Sequence, residues 1–365
     1  MDTYTITIDG GTTNTRCILW NSSRQRIDEQ KREVGVRNTA IDGNNSKLKN
    51  AVKECLEQLL EDHSLTYDNI NHIIASGMIT SDVGIVVVPH LTAPADLEQI
   101  ARSTVAIRLP EICPIPIHFI PGIKNSCSNI SLENYEAMDI MRGEEVESLA
   151  IIDKYHNGSP MILVLPGSHN KFVAVNADKE ITGCLTSISG ELLSAIINDT
   201  IIAKSVNRSF VTADQYDRKW LLLGYNTAKE TGLGRACFSG RILGLFCNAE
   251  PSKISNYILG AALQGDIQAI RNSSALCVTD DTQFVVCGKD PFKQALVDIF
   301  TEEKLSNQIT IFEPEAGFSA SALGAYLVAE KCKIIYEKIY YESCNYRLSI
   351  RKYRFRTFNY HWCRL

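Results

Sequence analysis

The first stretch whose residue types can do chemistry is Asp9-Gly10-Gly11-Thr12-Thr13-Asn14. A polyphosphate is cradled by backbone N–H groups and hydroxyls, with glycine letting the chain come close. Gly10, Gly11, Thr12, Thr13 and Asn14 offer such a cradle. Asp9 can hold a Mg²⁺ with its waters, because that ion takes one or two carboxylates beside phosphate oxygens. A second stretch of this kind is Pro166-Gly167-Ser168-His169-Asn170-Lys171, where Gly167, Ser168 and His169 can clamp the same phosphates from the other side. Each reads equally as a tight hairpin turn. The first is not a Walker loop, since no Gly-Lys-Ser/Thr follows and no helix opens there, nor a dinucleotide fingerprint, since the next element is a strand.

Three further stretches carry polar groups at the ends of elements. Met138-Asp139-Ile140-Met141-Arg142-Gly143-Glu144-Glu145 gathers acids, a base and a glycine at a helix start. A carboxylate there can take a proton from an attacking hydroxyl. Arg142 can bind a carboxylate or a transferring phosphoryl group through its planar fork. The same residues also suit a solvated helix N-terminus, where acids complement the dipole. Ser76-Gly77-Met78-Ile79-Thr80-Ser81-Asp82-Val83-Gly84 follows a strand, the usual place for a ligand loop in α/β sheets, or is a plain connection with Ser81 or Asp82 as a cap. Val286-Cys287-Gly288-Lys289-Asp290-Pro291 lays a glycine edge where a purine can rest, or is an ordinary turn.

The elements that must position these residues follow from periodicity. Residues 3–8 and 15–20 alternate as strands around the first loop, while 161–165 form a fully apolar strand before the second and 172–175 its return strand. Two such hairpins half a chain apart point to an internal duplication. Leu48, Ala51, Val52, Cys55, Leu56, Leu59 and Leu60 follow the spacing of an amphipathic helix. Ile70 to Ala75 reads as a strand, Glu144 to Ile152 as a helix, and Asn157-Gly158-Ser159-Pro160 as a boundary. Phe284 to Cys287 reads as a strand, after which Asp290 is expected to cap a helix with Pro291 at its first position. That helix shows an apolar stripe of Phe292, Ala295, Leu296, Ile299 and Phe300. Ala316 to Ala325 is a helix of small residues that lets another backbone approach. Alternating strands and helices imply an α/β fold.

Composition narrows the classes of function. The chain has 365 residues, 45% apolar and 22% charged, which is material for two globular domains. A net charge of −5 excludes a general nucleic-acid footprint. No apolar run approaches the roughly 20 residues of a membrane helix. The opening Met1-Asp2-Thr3-Tyr4 has no basic segment or apolar signal core, so a cytoplasmic protein is expected. The 12 cysteines form no C-x-x-C pair, and Cys55, Cys277 and Cys287 lie in apolar runs, so buried reduced thiols are expected. Residues 331–365 hold nine Lys/Arg against two Glu, leaving residues 1–330 at −12. This basic aromatic tail reads as a segment appended to the fold.

Together the segments resemble the 2-dehydro-3-deoxygalactonokinase family of the actin-like/hexokinase-like ATPase superfamily. The matching pieces are Asp9 to Arg16, Ser76 to Gly84, Pro89-His90-Leu91, Ala93-Pro94-Ala95, Ile120-Pro121-Gly122, Met141-Arg142-Gly143-Glu144-Glu145, Leu165 to Phe172, Thr182-Gly183 and Ser189-Gly190-Glu191-Leu192. Ser168 stands where the family often has threonine, and Phe172 where tryptophan is commoner. The resemblance implies two ribonuclease-H-like lobes, near 1–155 and 156–330, with the active site in the cleft. It implies phosphorylation of the C6 hydroxyl of 2-dehydro-3-deoxy-D-galactonate by ATP with Mg²⁺. Carried over by position, the first loop and Gly167-Ser168-His169 take phosphates, Asp9 the metal and Gly288 the adenosine. The helix from Ala316 becomes the second interdomain connector. Asp139 is the expected base, with Glu144 next. Arg16, Arg142 and Lys171 are candidates for the anionic sugar acid or the γ-phosphate. Gly77, Met78, Ser81 and Glu191 would border the substrate. The expected partner is a small sugar acid, with neither nucleic acid nor membrane, and a homodimer is left open. The rival readings are a kinase for another keto-sugar acid and a nucleotide-binding regulator of the same superfamily.

Overall fold

The computed structural model of the chain describes residues 3–314 and 319–334. The first residues of the helix expected from Ala316, and the basic tail beyond residue 334, lie outside the described residues.

Strict alternation pairs β1 (Tyr4–Gly10) with β2 (Thr15–Trp20) as a hairpin that sets Asp9 opposite Arg16. β3 (Arg26–Arg32) continues it antiparallel, and β4 (Ile70–Gly77) lies parallel to β1 on the other side. The short β5 (Leu91–Thr92), β6 (Val105–Ile107) and β7 (Ile117–Phe119) follow, and the sheet order is β3-β2-β1-β4-β7-β6. β5 instead joins β8 (Ile123–Lys124) and β9 (Ile140–Met141) in a small sheet. The second large sheet repeats the first. β10 (Met161–Leu165), β11 (Asn170–Val175) and β12 (Ile181–Ser187) form an antiparallel meander. β13 (Gln283–Val286) is parallel to β10, and β14 (Gln308–Ile311) to β13. The order β12-β11-β10-β13-β14 matches β3-β2-β1-β4-β7 strand for strand. The duplication expected from the hairpins is therefore present in the topology, as two ribonuclease-H-like sheets.

The helices fill in around them. α1 (Val36–Asp42) and α2 (Ser46–Asp62) cover the first sheet, and α2 buries the seven residues of its expected stripe. α3 (Leu97–Ser103) precedes β6, and α4 (Glu144–Tyr155) joins the two halves. α5 (Ser189–Asp199), α6 (Arg218–Thr231), α7 (Leu233–Phe246) and α8 (Pro251–Asn272) are inserted between β12 and β13. α9 (Phe292–Glu302) follows β13. Asp290 does not cap it: Pro291 is the N-cap residue, and the Asp290 carboxylate lies 3.8 Å from Lys293 Nζ instead. Cys277 is not buried either. Its apolar run falls in a loop between α8 and β13, where Leu276 points inward and Cys277 is exposed.

One core joins the halves, running through Ile74, Ile123, Val146, Leu163, Val173 and Val328. The helix of residues 320–334 crosses α4 with backbone contact. A Cβ on Gly324 would stand 1.7 Å from Val146 O, so only glycine fits. This helix also lays Ala322 and Tyr326 on Ile18 and Trp20 of β2. α6 crosses α8 in the same way, with the Cβ position of Gly224 1.8 Å from Tyr257 O.

Candidate active site

β1 and β4 end side by side, with Gly10 opposite Gly77. Gly77 has φ +83, and a Cβ there would stand 3.2 Å from Asp9 Oδ1. Gly143, at φ +108 just before α4, rests against Gly77, its Cβ position 3.4 Å from Gly77 Cα. The floor under Asp9 is thus bare backbone, and α4 begins directly above it.

The first loop is held from behind. The first turn of α1 donates Val36 N–H to Gly11 O at 3.1 Å and Arg37 N–H to Thr12 O at 3.0 Å. Within the loop Gly11 N–H donates to Asn14 O at 2.9 Å, and Asn14 Nδ2 to Thr13 Oγ1 at 2.9 Å. Thr12 and Thr13 are exposed, and among the described residues nothing accepts from their N–H groups. Carbonyls tied back and N–H groups open are the geometry that suits an anion.

Three acids gather above this floor. Burial pushes the Asp9 carboxyl above its ordinary value, against the opposing pull of Ser321 and Arg16. Ser321 Oγ donates to Asp9 Oδ2 at 3.2 Å. Burial, then the charges of Glu144 and Asp9, push the Glu147 carboxyl up to about 7. Burial first, and then Glu147, push up the thiol of Cys287, which follows β13. Val146 of α4 and Cys287 after β13 belong to one core, while Gly143, just before α4, rests on Gly77 at the end of β4. Glu145 points the other way. It is fully buried, takes the Gly143 N–H at 2.6 Å, and is pushed up to about 8 by that burial.

Glu145 and Glu147 predict a pH effect. Both bind protons more tightly folded than unfolded, so stability is full near pH 4.5 and is lost as pH rises through about 7 to 8. The apo protein is expected to melt several degrees lower at pH 8.5 than at pH 5.5. Glu145→Gln should flatten that slope by on the order of 4 kcal/mol. Calorimetry at the two pH values checks it, and an unchanged slope refutes it.

The basic residues are already engaged. Arg142 donates through Nη1 to Thr80 O at 2.8 Å and to Thr80 Oγ1, and through Nη2 to Val88 O at 2.8 Å. It ties the start of α4 to the loop after β4. Lys171, almost fully buried, donates to Ile140 O at 2.7 Å and to Thr186 Oγ1. Asp139 accepts from Thr186 N at 2.5 Å, Thr186 Oγ1 at 2.8 Å and Ile140 N at 2.7 Å, with Lys171 Nζ at 3.8 Å. Arg16 Nε lies 3.3 Å from Glu29 Oε1. Ser81 turns inward and donates to Met78 O at 2.6 Å.

The second loop is built like the first. Glu191 N–H donates to Ser168 O at 3.0 Å, and Gly167 N–H to Asn170 Oδ1 at 3.0 Å. His169 and Glu191 are exposed and paired at 3.1 Å. Gly288, at φ +89, packs on the Pro166 ring, so its glycine is required by the second hairpin. A slot of about 160 Å³, lined by Leu193, Ile197, Phe210, Leu259, Pro291 and Phe292, opens just beyond.

The structure thus gathers Asp9 to Asn14, Arg16, Gly77, Met78 and Glu144 at the ends of β1 and β4. It gathers Gly167, Ser168, His169, Glu191 and Gly288 at the ends of β10 and β13. Sequence reasoning passed over Glu147, Ser321, Arg37 and Asp266. Only Glu147 left a signal, its i, i+3 spacing from Glu144.

Two matched sheets, each with a glycine-and-hydroxyl loop closing its first hairpin, define an actin-like/hexokinase-like ATPase fold. The profile of the family described as 2-keto-3-deoxy-galactonokinase matches residues 9–316, and the chain belongs to that family. It is accordingly a sugar-acid kinase of galactonate catabolism, a phosphotransferase with an alcohol acceptor that uses ATP. A 2-dehydro-3-deoxygalactonokinase of Escherichia coli (strain K12) is 23% identical over 267 residues, 73% of this chain and 80% of that relative. A crystal structure from Sinorhizobium meliloti, put forward as a 2-dehydro-3-deoxygalactonokinase, superposes with a TM-score of 0.69 at 19% identity, covering 91% of this chain and 99% of that one. Among the described residues no helix is long and apolar enough to cross a membrane.

Proposed function

We propose that the protein transfers the γ-phosphoryl group of ATP to the C6 hydroxyl of 2-dehydro-3-deoxy-D-galactonate, in the cytoplasm, between lobes built on residues 1–155 and 156–330. The observation that carries this reading is the set of carboxylates Asp9, Glu144 and Glu147 above an open loop of N–H groups, reached from both sheets. The site suits Mg²⁺. Asp9 Oδ1 has no donor among the described residues, which leaves it open to an ion whose remaining ligands would be water and phosphate oxygens. Asp9 would hold the metal, whose charge offsets that spread over the transferring phosphoryl oxygens.

The chain's own groups do the rest. The open N–H groups of Thr12 and Thr13, with the loop of Gly167, Ser168 and His169, bind phosphate oxygens. The apolar slot beyond Gly288 takes the adenine. Arg37, without a side-chain partner among the described residues, is offered to the substrate carboxylate. Gly77 and Met78 border the sugar acid. Glu144 is the favoured base, because its Oε2 takes only the Arg142 N–H, at 3.1 Å, while both oxygens of Asp139 are filled by donors. Asp139, Lys171 and Arg142 brace the segment that carries Glu144.

A coupled ADP-release assay over a panel of 2-keto-3-deoxy sugar acids tests the activity, with the galactonate derivative expected to be fastest. ADP release independent of any acceptor would overturn it. Glu144→Gln is expected to lower kcat by about 10²–10⁴-fold with ATP binding kept. Normal turnover in that variant, with loss in a well-folded Asp139→Asn, would move the base to Asp139.

A further inference from the structure

We propose that Asp266, in the middle of α8, is a positioning residue that sets the shape of the second phosphate loop and through it the affinity for nucleotide. Asp266 is 1% exposed. Its Oδ1 accepts from Ser187 Oγ and Ser189 Oγ, each at 2.5 Å, and its Oδ2 from Asn170 Nδ2 at 2.7 Å. Burial pushes the Asp266 carboxyl above its ordinary value, against the opposing pull of these three donors. No cation pairs with it among the described residues, so neutral donors alone compensate a buried charge. Such an arrangement is costly where apolar packing would serve.

The carboxylate removes a choice. The Asn170 amide can sit either way round, but its NH₂ must face the acid, which turns Oδ1 toward Gly167 N–H at 3.0 Å. Gly167 N–H is drawn inward, and among the described residues the N–H groups of Ser168 and His169 are left without an acceptor. The same acid fixes Ser189, the first residue of α5, which starts the helix whose Glu191 N–H holds Ser168 O. The next residue, Gly190, lies so near the loop that its Cβ position is 2.1 Å from Gly167 O. One acid 96 residues away along the chain thus fixes both the donors and the carbonyls of the loop.

This inference rests on the loop meeting the nucleotide, so the experiment carries a reference variant. Gly167→Val adds bulk where a Cβ meets only His169 O, at 3.5 Å, and should raise the KM for ATP if the loop binds phosphates. Asp266→Asn sets an NH₂ group against Asn170 or against the two serines. It is expected to raise the KM for ATP by about 10-fold, with kcat and the KM of the sugar acid within about threefold. Asn170→Ala should do the same, and the double variant should be no worse than the worse single one. If Asp266→Asn does not fold, Asn170→Ala decides by the same split. No effect of Gly167→Val would remove the nucleotide reading of the loop. An effect there, with both KM values unchanged or shifted alike in the Asp266 and Asn170 variants, would overturn the role of Asp266.

Discussion

Asp9→Asn is expected to lower kcat by about 10³-fold while raising the melting temperature. The two effects have one cause. Burial disfavours the charged form of Asp9, so its ionised carboxylate is held at a cost to folding. Asparagine keeps an acceptor for the Ser321 hydroxyl, which donates to Oδ2 at 3.2 Å, and removes the charge. A purely structural Asp9 would give the opposite pair of results, lower stability with turnover kept. Steady-state kinetics beside calorimetry on the same preparation separates them.

The second large effect is expected at Gly324. A Cβ there would lie 1.7 Å from Val146 O and 2.5 Å from Val146 C, which are backbone atoms and cannot rotate away. Alanine must push the 320–334 helix off α4, at about 3 kcal/mol or more, which for a chain of 365 residues corresponds to a loss of roughly 4 °C or more in melting temperature. Because α4 carries Glu144 and Glu147, turnover should fall with it. Gly265→Ala in α8 is the control. No atom lies within 4 Å of its Cβ position, and helix propensity predicts a gain of about 0.5–1 kcal/mol. Equal melting temperatures for the two variants would refute the account.

What the sequence disclosed was whatever is written in short spacings. The strands around Asp9 alternate, the strand before Gly167 is a short apolar run stopped by Pro166 and Gly167, and α2 repeats its apolar residues at helical spacing, so all three were legible. α8 was not, because Ile254 to Leu263 is buried on every side and leaves no stripe. The crossing of α6 on α8 also depends on glycines, which read as breakers. At the site, the types of Arg142, Lys171 and Asp139 suggested substrate contacts. Their spacing says nothing about direction, and the fold turns Arg142 and Lys171 toward backbone carbonyls and gives Asp139 three donors. Asp266 meets Asn170 only through tertiary structure, so no local pattern announces it.

The packing of Tyr326 on Trp20 has a consequence for biosynthesis. The two rings lie 5.3 Å apart, Trp20 is 5% exposed, and Tyr326 Oη donates to Asn21 O at 3.1 Å. The indole therefore waits, wet and uncovered, while some three hundred residues are translated after it. A nascent first half emerging from the ribosome has no finished face on that side, and its tryptophan fluorescence should reach the native value only once the closing helix has cleared the exit tunnel.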